Sequence, residues 1–115
     1  MTADYEAAVR DHHIDLMYVD GALAGLIEMA YGEDHLLIEN VAVSAAFQKR
    51  GLGRALLAHA EDVAGRGGFA MIRLYTNKRF AENIALYQRL GYAVDREAES
   101  VVGIRVYMSK AVGAA

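Results

Sequence analysis

The feature that most constrains this chain is a change of hydrophobic period on either side of a short basic segment. From His35 to Ser44 (HLLIENVAVS) aliphatic and β-branched residues dominate, as in a central strand. From Gly51 to Gly65 the apolar residues recur on a helical stripe, Leu52, Leu56 and Val63, widened by Ala55, Leu57 and Ala60. Between the two patterns stands Gln48-Lys49-Arg50-Gly51-Leu52-Gly53-Arg54. Glycines there let the backbone approach a ligand and turn several N–H groups one way. The first turn of a helix adds N–H groups without internal partners and the positive end of the dipole. Together these make a cradle for phosphate or pyrophosphate, and Lys49, Arg50 and Arg54 add positive charge. A second reading stands beside it, a tight strand-to-helix turn that merely exposes its basic residues.

The rest of the chain gives the remaining elements. His13 to Asp20 alternates apolar and polar residues, Gly21 supplies a turn, and Ala22 to Tyr31 forms the second strand of a hairpin. Gly32-Glu33-Asp34 turns the chain into the central strand. Gly65, Gly67 and Gly68 end the first helix, and Phe69 to Thr76 is a short buried strand. Asn77 is placed to cap a second helix from about Lys78 to Leu90, which Gly91 stops. Tyr92 to Glu97 and Val102 to Lys110 close the domain as strands. The order is β-β-β-α-β-α-β-β. A right-handed crossover predicts that the strands flanking the first helix are parallel neighbours, with the other pairs antiparallel.

Composition narrows the function. A chain of 115 residues with 55% hydrophobic and 23% charged content reads as one globular domain, residues 1–115. The net charge of -3 gives no electrostatic reason to expect nucleic acid, and suits a cationic partner such as an amine. The chain has no cysteine, which removes disulfides and thiolate metal sites. His12, His13, His35 and His59 show no metal-ligand spacing, so no metal is expected and solvated histidines are the default reading. The first residues carry early acids instead of an apolar run, and no stretch approaches the ~20 apolar residues of a membrane span. The expectation is a cytoplasmic protein without a membrane partner.

Two common phosphate loops do not fit. Neither Gly51 nor Gly53 is followed by Lys-Ser or Lys-Thr, as a Walker A loop requires. Gly51-Leu52-Gly53-Arg54-Ala55-Leu56 lacks the last glycine of a dinucleotide fingerprint and follows a third strand, not a first. The segment Gln48-Lys49-Arg50-Gly51-Leu52-Gly53 does match the Q/R-x-x-G-x-G/A signature of the GNAT superfamily of N-acetyltransferases. Ile38 to Val43 resembles that family's fourth strand, and Glu82-Asn83-Ile84-Ala85-Leu86-Tyr87-Gln88-Arg89-Leu90-Gly91-Tyr92 resembles its second conserved block. The resemblance covers roughly residues 13–110. It implies a mixed, mostly antiparallel sheet with helices on both faces and a splayed central parallel pair that admits the pantetheine arm of acetyl-CoA.

The resemblance also implies roles. Main-chain groups of Val41, Ala42 and Val43 would pair with the pantetheine, and the loop from Gln48 and Lys49 through Arg50, Gly51, Leu52, Gly53 and Arg54 would hold the pyrophosphate. Asn83 would contact the cofactor arm, or stand as a solvated helix residue. Tyr87, one turn on, would protonate the departing thiolate, or simply pack. Glu39, a carboxylate in an apolar strand, is the candidate base for an amine; an exposed place on a half-solvated strand is the other reading. Tyr75 either lines the acceptor pocket or packs. The implied reaction is direct attack of a primary amine, from a small molecule or a protein, on acetyl-CoA, without a covalent enzyme intermediate. Family members usually begin with a longer N-terminal arm, whereas only residues 1–12 precede the first hairpin strand here. This departure predicts an open acceptor site or one completed in a homodimer, and leaves a non-catalytic acetyl-CoA-binding module as the alternative.

Overall fold

Asp20 and Gly21 both adopt left-handed dihedral angles, φ 51° and 82°, as a two-residue hairpin turn matched to strand twist requires. They join β1 (Asp11–Val19) to β2 (Ala22–Tyr31), which pair antiparallel. The computed structural model describes residues 11–112, so most of the expected N-terminal remnant, residues 1–10, lies outside the described residues. β1 starts two positions before the strand read from the sequence. β3 (His35–Val43) pairs with β2, a one-turn 3₁₀ helix (Ala45–Phe47) follows, and α1 (Leu52–Arg66) crosses to β4 (Met71–Asn77). Then come α2 (Ala81–Arg89), β5 (Ala93–Ser100) and β6 (Gly103–Ala111).

The six strands form one sheet in the order β1-β2-β3-β4-β6-β5, and only β3 and β4 run parallel. This is the mixed, mostly antiparallel α/β sheet expected. One feature differs. The steps β3-α1-β4 and β4-α2-β5 move in the same direction along the sheet, so right-handed crossovers put both helices on one face. Side chains agree: Leu56, Leu57, Ala60 and Ala64 of α1 share a core with Ile27, Met29, Leu36, Ile38, Ile72, Leu74, Val106 and Met108, and Ile84, Leu86 and Tyr87 of α2 pack against that same cluster. Helices on both faces were expected, and among the described residues the second face has none. Gly25 permits the close seat of α1, since a Cβ there would lie 2.7 Å from the Ala42 carbonyl oxygen and 3.3 Å from Leu56 Cδ1.

The helix-free face is covered unevenly. On its β4-β6-β5 side Tyr107 is fully buried under the Arg96 guanidinium, 4.0 Å above its ring, and Arg105 stacks 4.2 Å from the Tyr75 ring. On its β1-β2 side Ile14, Leu16, Tyr18 and Leu23 are each about half exposed. Two other readings are corrected. Asn77 does not cap α2; its Oδ1 accepts the Arg79 N–H at 3.0 Å and its amide donates to the Val102 carbonyl, while Phe80 occupies the cap position. His35 is not solvated but buried, Nδ1 lying 3.0 Å from Asp34 Oδ1, and that hydrogen bond holds the Asp34 carboxyl below its ordinary value.

Candidate active site

The site begins where two paired strands part. β3 and β4 pair from His35–Met71 to Ile38–Leu74, yet β3 continues to Val43 and β4 to Asn77. Glu39 starts the unpaired stretch and is also the extra residue of a β-bulge, because Glu28 faces Asn40 and Met29 faces Ile38. A bulge shifts the alternation of the strand by one. Before it, Leu36 and Ile38 face the helices; after it, Val41 and Val43 pack on that core. The bulge thus keeps β3 amphipathic while it bends away from β4. Along Asn40 to Val43 the β4-side edge has no strand partner among the described residues, so an extended ligand has main-chain groups to pair with.

The gap is a cleft of about 190 Å³ lined by Ile38, Glu39, Asn40, Val41, Leu74, Tyr75, Thr76, Phe80, Asn83 and Tyr87. Asn83 and Tyr87 come from α2, one turn apart. The position of Tyr87 is set by how α2 ends. Gly91 is left-handed at φ 101°, the Tyr92 N–H donates to the Tyr87 carbonyl at 2.9 Å, and the Gly91 N–H to that of Gln88 at 3.0 Å. In this arrangement the residue beyond the glycine packs back on the last turn. Buried Tyr92 accordingly meets the Tyr87 ring edge-on at 5.9 Å. Burial also raises the Tyr87 phenol above its ordinary value, so it stays protonated, and able to donate, through neutral pH.

Glu39 lies at the other wall. Its Oε1 is 3.5 Å from the Tyr75 hydroxyl, and its Oε2 is 3.3 Å from His12 Nδ1. The sequence did not single out His12. The β1–β2 register brings it in, since His12 faces Ala30, which in turn faces Leu37, the residue two before Glu39.

The loop below the cleft has the form of an anion cradle. Gly51 caps α1 in the left-handed region at φ 76°, no side chain caps the helix, and the Leu52, Gly53 and Arg54 N–H groups belong to its first turn. Lys49 is also left-handed, at φ 66°. Beyond the adjoining residues and the helix's own backbone, a Cβ built on Gly51 or Gly53 would meet nothing within 4 Å. Packing therefore does not demand glycine at Gly53, where alanine would favour the helix. An open first turn with bare N–H groups fits a phosphate-bearing ligand that must come close. Arg50 and Arg54 are exposed beside it, Arg50 stacked on Phe47. Gln48 points elsewhere: its Nε2 donates to the Val43 carbonyl at 3.2 Å, tying the loop to the end of β3. Among the described residues no three His, Cys, Asp or Glu side chains converge as a metal would need, and no helix is long and apolar enough to cross a membrane.

The chain is similar to known proteins. A sequence model of the acetyltransferase (GNAT) family matches residues 2–92. Streptothricin acetyltransferase of Streptomyces lavendulae is 34% identical over 76 residues, 64% of this chain and 40% of that one. The [ribosomal protein bS18]-alanine N-acetyltransferase of Escherichia coli K12 is 41% identical over 59 residues, 51% of this chain and 40% of that one. The crystal structure of nourseothricin acetyltransferase superposes with a TM-score of 0.82 at 25% identity, covering 90% of this chain and 66% of that one. The chain thus corresponds to about two-fifths of the length of these two curated relatives. With a family model that matches residues 2–92, most of its length, the chain belongs to the GNAT acetyltransferase family.

Proposed function

We propose that this protein is an N-acetyltransferase that uses acetyl-CoA and passes the acetyl group directly to a primary amine of a small molecule or a protein. The observation that carries this reading is the end of β3–β4 pairing at Ile38–Leu74, with Glu39 and Tyr87 on the walls of the cleft that opens there. Acetyl-CoA supplies an acetyl thioester, already activated for transfer. The first-turn N–H groups from Leu52 to Arg54 hold its pyrophosphate with the positive end of α1, and Arg50 and Arg54 add charge. The free edge of Val41 to Val43 pairs with the pantetheine arm, and Asn83 lies against it. Tyr87, a phenol whose proton burial holds more tightly, gives that proton to the leaving sulfur, and the proton that the attacking nitrogen loses as the amide forms returns through solvent to the Tyr87 oxygen. Glu39 takes the proton of an arriving ammonium, so that nitrogen attacks as a free amine. Curated relatives whose names specify streptothricin and a ribosomal protein leave both acceptor classes within this proposal.

Thermal unfolding with acetyl-CoA, against NADH and ATP as controls, tests the donor. A ligand at ~100 times its dissociation constant adds about 2.7 kcal/mol, which raises the midpoint by several degrees. A shift with acetyl-CoA alone is expected. An unchanged midpoint at millimolar acetyl-CoA removes the donor from the proposal.

A further inference from the structure

A base inside a narrow cleft must itself be emptied of protons after each turnover. The Glu39 side chain is 18% exposed, whereas the His12 ring, whose Nδ1 is 3.3 Å from Glu39 Oε2, is 50% exposed. The two residues come from strands separated by β2, and between them Ala30 carries only a methyl group. The bulge frees Glu39 from pairing and leaves its carboxylate between His12 on one oxygen and the Tyr75 hydroxyl on the other. Tyr75 can only donate to the ionised carboxylate, since a phenol accepts a carboxyl proton poorly. Imidazole can do both, because one ring nitrogen accepts a proton while the other carries one.

We propose that His12 is a positioning and proton-relay residue that returns Glu39 to its ionised form. The inference rests on the reading of Glu39 as the base. Glu39 takes a proton from the substrate ammonium, leaving neutral amine and carboxylic acid. In the tautomer with hydrogen on Nε2, His12 Nδ1 accepts that proton from Glu39 Oε2. The imidazolium then releases one proton to water, giving neutral ring, carboxylate and hydronium. Tautomers of a half-exposed ring re-equilibrate through water, so the cycle closes without any other reactant.

The test compares His12→Ala, His12→Gln and Glu39→Gln by steady-state acetylation of a small primary amine in dilute buffer, with and without added imidazole. His12→Ala is expected to lower kcat about 10-fold, less than the roughly 10²–10⁴-fold of a directly acting base, while the KM for acetyl-CoA is unchanged. Imidazole should restore most of that loss in His12→Ala and none in Glu39→Gln. A His12→Ala enzyme at full rate in dilute buffer, beside an impaired Glu39→Gln, overturns the relay and leaves the base intact. A loss that no imidazole restores also overturns it, because a merely structural histidine behaves so. Full activity in Glu39→Gln removes the reading beneath both. Should His12→Ala unfold at a lower temperature, His12→Gln, which keeps a polar side chain on the strand, serves the rate comparison. A rate equal to wild type in His12→Gln then counts against the relay.

Discussion

The two halves of the β3–β4 pair are built from adjacent residues of the same strands and do opposite things. From His35 to Ile38 β3 is buried and hydrogen-bonded to β4, and Leu36, Ile38, Ile72 and Leu74 form the centre of the core. From Glu39 to Val43 burial alternates, the pairing with β4 ends and a polar cleft opens. The contrast teaches that the fold keeps its stability and its chemistry apart by one bulge. The paired half supplies contacts that resist deformation, and the open half leaves main-chain groups and side chains available to ligands.

That division can be broken by substitution. The largest effect is expected from Ile72→Ala in the paired half, where a fully buried side chain is removed from the core. Denaturant unfolding should show a loss of about 2–5 kcal/mol, and the molecules that remain folded should bind acetyl-CoA as before. A comparable loss of donor affinity in the folded fraction would show that the halves are not separable. In the open half, Tyr87→Phe should lower kcat roughly 10²-fold while leaving the unfolding midpoint and the acetyl-CoA shift in place. Because burial raises the Tyr87 phenol, the folded protein holds its proton above the ordinary value, and wild-type activity should show no loss from this group below about pH 10. A rate equal to wild type in the Phe variant would reduce Tyr87 to a packing residue. The smallest effect sharpens the comparison at the cradle. Gly53→Ala puts a methyl where nothing lies within 4 Å beyond the adjoining residues and the helix's own backbone, so the unliganded fold should hold or gain up to about 1 kcal/mol. Acetyl-CoA should nevertheless bind about 10-fold more weakly, a change of ~1.4 kcal/mol by calorimetry. Tighter binding would mean that the first turn is not approached closely.

Much of this was legible because it is written in local contacts. The Asp20-Gly21 turn, the glycine stop after Leu90 and the helical stripe around Leu56 each depend on residues within a few positions, and the structure has all three. The sequence pattern ends the first strand of this hairpin at Glu97, whereas β5 runs to Ser100, because the tip is Val101-Val102, two residues that do not announce a reversal; the turn is held instead by Ser100, Gly103 and the distant Asn77. Asn77 looked like a helix cap for the same reason: its side chain had an alternative partner that sequence distance hid. His35 looked solvated, but the β3 core buries it.

By itself, then, the sequence determined the order of elements, the glycine-opened turn before α1 and the stop that fixes Tyr87 against Tyr92, since those follow from backbone preferences and short-range packing. Tertiary structure alone decided that β3 bulges at Glu39, that β3 and β4 part after Ile38 and Leu74, that both helices share a face, and that His12 reaches Glu39 across Ala30. Those features depend on strand register and crossover direction, which are fixed only when residues far apart in the chain are packed against one core.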